Sequence, residues 1–154
     1  MFMDDVTQLS DTARARGLRV AVAESLTSGT LAGAVGEGEK ASEWFAGGIV
    51  AYMMDTKERV LGLKPGTDPC SASCAEQLAR GARDLFDVDL AVSTTGVGGP
   101  DADGGHPPGT VFLGWATRSA VGHRQLSIEG GPEQVLAATI EAAVRMLAFH
   151  AAEL

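Results

Sequence analysis

An α/β fold, a single layered domain with a mixed β-sheet flanked by α-helices over residues 1–154, is what three observations predict. Short valine-rich runs alternate with stretches of helical period, two strand-like runs stand side by side near the C-terminus, and a long amphipathic stretch closes the chain. Strands separated by helices give parallel neighbours and a tight hairpin gives an antiparallel pair, so the sheet is expected to be mixed.

The elements follow in order. Val6, Leu9, Ala13 and Leu18 keep helical spacing from residue 4, and Gly17 ends that helix; residues 18–23 are then an apolar strand bounded by Arg19 and Glu24. Residues 27–35 are small and apolar, as suits a helix packed tightly on a sheet. Residues 45–52 read as the second strand and 55–61 as a short helix. Ser71 is placed to cap a helix whose Cys74, Leu78, Ala82 and Leu85 share one face, and residues 89–95 form another apolar strand. Residues 110–117 and 123–128 pair as a hairpin turning near residues 119–122, and Pro132 starts a helix reaching about residue 152.

Between the last two groups, residues 96–109 hold six glycines and three prolines. Such a segment cannot be regular structure, and strands on both sides make it a loop with a task and not a linker. There is no internal repeat.

Composition narrows the function classes. Twelve basic against 20 acidic residues give a net charge of -8, which repels phosphodiester backbones and argues against nucleic acid as a partner. No uninterrupted apolar run of about 18 residues is present, and the start, Met1-Phe2-Met3-Asp4-Asp5, is acidic where a signal peptide is basic, so no membrane association and a cytoplasmic location are expected. Cys70 and Cys74 stand four apart in a segment that reads as helical, too close for a good disulfide and without nearby His ligands, so both are expected to be small buried side chains. His123 and His150 are expected to stand alone on the surface.

Three local signals carry chemistry. Ser25, in Ala23-Glu24-Ser25-Leu26-Thr27-Ser28-Gly29, sits where a strand gives way to a helix, a turn that exposes a nucleophilic hydroxyl near free helix N–H groups. Capping is the commoner task for such a serine, and Thr27 serves it equally well. Lys57 is one of three lysines, with Lys40 and Lys64, and taken alone reads as a solvated charge. Thr95-Gly96-Val97-Gly98-Gly99-Pro100 has the form of an anion-binding nest or a tight turn. Asp101, Asp103 and Gly104 match part of a calcium loop but lack its later ligands.

Taken together with Trp44-Phe45-Ala46-Gly47-Gly48, Tyr52 and Pro107-Pro108-Gly109-Thr110-Val111, these motifs resemble the C-terminal domain of the CinA (competence/damage-inducible) family over nearly the whole chain. The resemblance implies an amidohydrolase that converts nicotinamide mononucleotide to nicotinic acid mononucleotide and ammonia, in pyridine nucleotide salvage, with no metal and no organic cofactor. Ser25 would be the nucleophile, Lys57 its general base and Tyr52 a hydrogen-bonding partner. Thr27, Ser28, Gly29, Thr95, Gly96, Gly98 and Gly99 would lie against the small-molecule nucleotide substrate. A homo-oligomer and the stand-alone form of the family are expected.

The chemistry fits those residue types. A serine hydroxyl needs a neighbouring proton acceptor, and a lysine serves only when neutral, so its ordinary pKa of about 10.4 must fall through burial or a nearby positive charge such as the substrate's pyridinium. Backbone N–H groups after Ser25 would hold the oxyanion, each worth about 3 kcal/mol.

Three departures from the family pattern stand in this chain. Ser28 replaces a glycine beside the nucleophile, Met53 and Met54 replace a Ser-Asn pair, and Pro132 and Leu136 stand where the family carries arginines. An arginine's bidentate hold on phosphate has no apolar substitute, which leaves Arg59, Arg124 or His106 as compensating groups. The alternative is therefore a non-catalytic nucleotide-binding or regulatory protein that has lost deamidase activity. A metal-dependent hydrolase lacks a ligand set.

Overall fold

A computed structural model describes residues 2–154, with side chains from residue 4 onward; Met1, which opens the acidic start, lies outside them. Five strands form one sheet in the order β2-β1-β3-β4-β5. β1 (Val20–Glu24) pairs in parallel with β2 (Phe45–Val50) on one side and β3 (Leu90–Gly96) on the other; β4 (Thr110–Thr117) and β5 (Val121–Ser127) continue the sheet antiparallel. The mixed sheet and flanking helices agree with the sequence reading.

Alternation of side-chain size along the central strands sets the layers. Val20, Val22, Leu90 and Val92 face a core built with α1 (Phe2–Arg16), α2 (Thr30–Gly36) and α5 (Pro132–Glu153). Ala21, Ala23 and Ala91 face the opposite way, toward α3 (Met54–Leu61) and α4 (Ala72–Phe86). Alanines on that face let α4 approach closely, and Ser93 Oγ donates to the Ala75 carbonyl oxygen at 2.6 Å across the contact.

Several boundaries differ from the sequence reading. α2 begins at Thr30, not residue 27, because Ser28 and Gly29 take left-handed φ of 50° and 101° and turn the chain first. Cys70 precedes α4 and only Cys74 lies in it, since Ser71 is the N-cap and its hydroxyl accepts from the Cys74 N–H at 3.1 Å. Leu85 is exposed, and Phe86 packs on the α4 core at that end. α5 is long and apolar enough by composition to cross a bilayer, although no single apolar run suggested it. Its Val135, Ile140, Val144 and Leu147 are buried in the core instead.

The packing that places the site is the α3–α4 contact. A Cβ at Gly81 of α4 would collide with the Leu61 carbonyl oxygen at the end of α3. Gly81→Ala therefore lowers stability by about 1–3 kcal/mol in chemical denaturation and, by shifting α3, displaces Lys57.

Candidate active site

The carboxyl ends of β1 and β3 lie side by side, and the chain leaves β1 toward β2 but leaves β3 toward β4, on opposite sides. Such a divergence opens a crevice above the strand ends. Here it is a cleft of about 530 Å³ lined by Ser25, Tyr52, Lys57, Cys70, Thr95 and the glycine loop.

Ser25 directly follows β1. Its N–H donates to the Thr94 carbonyl oxygen of β3 at 3.1 Å, and the hydroxyls of Thr27 and Thr94 lie 2.8 Å apart, so both ends of the turn are tied to the neighbouring strand. Glu24 completes the anchor. Its carboxylate is 1 % exposed and accepts from the Leu31 N–H at 2.8 Å and the Ala32 N–H at 2.9 Å. The start of α2 is thus satisfied from within and is not the open anion site that a serine just before a helix suggests. The Leu26 N–H has no acceptor among the described residues, and Leu26 lines the cleft. Of the turn's N–H groups unpaired among the described residues, those of Leu26, Thr27 and Gly29, only that of Leu26 belongs to a residue that lines the cleft.

Lys57 projects from α3. It is 3 % exposed, and among the described residues it makes no side-chain hydrogen bond or ion pair. Burial lowers its pKa below the ordinary 10.5, opposed by the neighbouring Cys74 thiol. No hydrogen bond joins Lys57 directly to Ser25, and Tyr52 is hydrogen-bonded to neither; it stands 62 % exposed at the rim.

The structure places the expected residues unequally. Ser25, Lys57, Tyr52, Thr95, Gly96, Gly98 and Gly99 all line the cleft. Thr27 is fully buried with its hydroxyl on Thr94 and, like Gly29 and the exposed Ser28, lies outside the lining. Met53, Met54 and His106 line it; Arg59 and Arg124 do not.

Asp68, Cys70, Asp101 and Asp103 also line the cleft, and none of them is among the site residues that the sequence implies. His106 Nε2 and Asp68 Oδ2 are 2.8 Å apart, pinning the glycine loop to the segment before α4. That bond and the Cys70 N–H hold the Asp68 carboxyl below its usual range. Burial, with Asp68, Cys74 and Asp103 nearby, pushes the Cys70 thiol up to about 11. A thiol that stays protonated near neutral pH is a poor nucleophile. A long-range pair such as Asp68–His106 leaves no trace in spacing, whereas Glu24, a charge ending a buried strand, was a readable signal.

The expected isolation of His123 and His150 is corrected. His123 Nδ1 lies 2.7 Å from Glu76 Oε2, and His150 stacks on Trp115 with ring centroids 4.1 Å apart. Among the described residues no three His, Cys, Asp or Glu side chains converge as a metal site.

The sequence model of the CinA C-terminal domain matches residues 4–150. The chain belongs to the CinA C-terminal domain family. A relative from Bacillus subtilis (strain 168), named as competence-damage inducible, is 42% identical over 113 residues, which cover 71% of this chain and 27% of the relative. The chain thus spans well under half the length of such curated relatives. A CinA superfamily protein from Klebsiella pneumoniae 700603 superposes with a TM-score of 0.94 at 26% identity, covering 100% of this chain and 99% of that one. The competence/damage-inducible protein CihA from Agrobacterium tumefaciens gives 0.82 at 31% identity, with 93% of each chain covered.

The Glu24 anchor is testable. Glu24→Gln retains one acceptor and turns an amide NH2 toward the other N–H, so unfolding free energy falls by about 2 kcal/mol in urea titration.

Proposed function

We propose that the protein is a serine amidohydrolase of the nicotinamide mononucleotide deamidase type, acting on the carboxamide of an N-ribosylated nicotinamide. The single observation that carries this reading is that Ser25 and a buried Lys57 without an ion-pair partner among the described residues line the same cleft. A lysine without a carboxylate partner, lowered by burial, is suited to accept a proton.

In the reaction, Ser25 Oγ bonds to the carboxamide carbon while its proton passes to neutral Lys57. The Leu26 N–H faces the oxyanion. Collapse breaks the C–N bond, Lys57 returns the proton to the leaving nitrogen, and ammonia departs. Water, deprotonated by the same lysine, then attacks the serine ester; the C–Oγ bond breaks, Lys57 hands its proton to the departing Ser25 Oγ, and the carboxylic acid leaves. The substrate's pyridinium charge further favours neutral Lys57 once bound.

Met53 and Met54 in the lining, and the apolar Pro132 and Leu136 in place of arginines, favour the second reading, a nucleotide-binding protein without turnover. Ammonia release separates the two. The amidohydrolase reading expects release that falls by at least about a thousandfold in Ser25→Ala; release equal to that variant across a series of pyridinium carboxamides contradicts it.

The pH profile gives a second check. Activity rises with pH as Lys57 loses its proton, with a midpoint below 10.5, and Lys57→Ala removes that limb. Between the lowered folded value and 10.5 the unfolded chain binds more protons, so the Lys57 contribution to stability also rises with pH across that window.

A further inference from the structure

Ser25 and Lys57 engage only the reacting end of a ligand. The rest of a ligand has to meet the remaining lining of the cleft, and that lining is acidic: Asp68, Asp101 and Asp103 belong to it, with His106 as its one basic side chain besides Lys57 among the described residues. No arginine lines the cleft among the described residues. Ser25 and Lys57, 7 % and 3 % exposed and without side-chain hydrogen-bond partners, mark the cleft as a place where a ligand completes the bonding.

A 5′-phosphate dianion is repelled by Asp101 and Asp103, Asp68 being bonded to His106, and finds no guanidinium among the lining residues to offset that cost. Backbone N–H groups of Gly98 and Gly99 have no protein acceptor among the described residues, but Asp101 follows them two residues on. Carboxylates at the rim instead suit a cationic ring and the hydroxyls of a ribose, each O–H donating to a carboxylate oxygen.

We propose that the cleft selects the nucleoside over the nucleotide: an N-ribosylated pyridinium carboxamide without the 5′-phosphate, its sugar hydroxyls received by Asp101 and Asp103. The inference rests on the amidohydrolase reading for what happens at Ser25. Its specificity arises independently, from the charge of the wall. The product is then the corresponding nicotinic acid nucleoside, with ammonia, and a reaction that removes a phosphate from the nucleotide must supply the substrate.

The test measures binding and turnover separately. Calorimetry on Ser25→Ala compares nicotinamide riboside with nicotinamide mononucleotide, and ammonia release is followed for both with the unaltered protein. The riboside is expected to bind at least about tenfold more tightly, and the Asp101→Asn/Asp103→Asn double variant to shrink that ratio severalfold; both side chains are exposed, so the fold survives the change. Equal or tighter binding of the mononucleotide, an unchanged ratio in the double variant, or no binding of either overturns the specificity. Preferred binding of the riboside with no ammonia from either compound leaves the specificity standing and overturns the amidohydrolase reading. Faster release from the mononucleotide does the reverse.

Discussion

The Glu24 carboxylate, buried at the end of β1 and bound to the first N–H groups of α2, is the constraint on which the site depends. One side chain closes a helix start, ends a strand and fixes the turn that carries Ser25. Because a charge without partners is costly inside a protein, the turn cannot relax without exposing either the carboxylate or two amide donors. Ser25 is thereby held rigidly, with its own N–H on Thr94. The same carboxylate takes up the Leu31 and Ala32 N–H groups, so those two helix donors are not open to a ligand.

Lys57 is the opposite case. Its burial without an ion-pair partner among the described residues lowers stability near neutral pH. Groups held in such an unfavourable state concentrate where a reaction uses them. Around it, the sheet supplies position: Ser25 follows β1, Gly96 ends β3, and Tyr52 lies just beyond β2, so parallel pairing alone gathers three of the lining residues at one edge.

Much of this was legible in the sequence, for identifiable reasons. The strands could be read because Val20, Val22, Leu90 and Val92 are strongly apolar, and α4 because Ser71 caps a clear amphipathic face. The motif residues Ser25 and Gly96 lie at strand ends, where strand order brings them together, and Lys57 reaches the same cleft from within α3. The start of α2 was misread because small apolar residues from Thr27 onward carry no mark of the left-handed pair Ser28-Gly29. Asp68 and His106 stayed hidden because their bond joins segments 38 residues apart, a distance set by the tertiary fold alone. Likewise, the position of Cys70 in the cleft follows from a loop preceding α4 and not from the helical spacing to Cys74.

The central claim, covalent catalysis by Ser25, is tested most directly by intact-mass and peptide-level spectrometry of protein acid-quenched during exposure to an N-ribosylated nicotinamide. The account predicts an acyl adduct, the mass of the substrate less ammonia, on the peptide containing Ser25 and absent in Ser25→Ala. An adduct on Cys70, or ammonia released while Ser25 stays unmodified under conditions that slow deacylation, contradicts it.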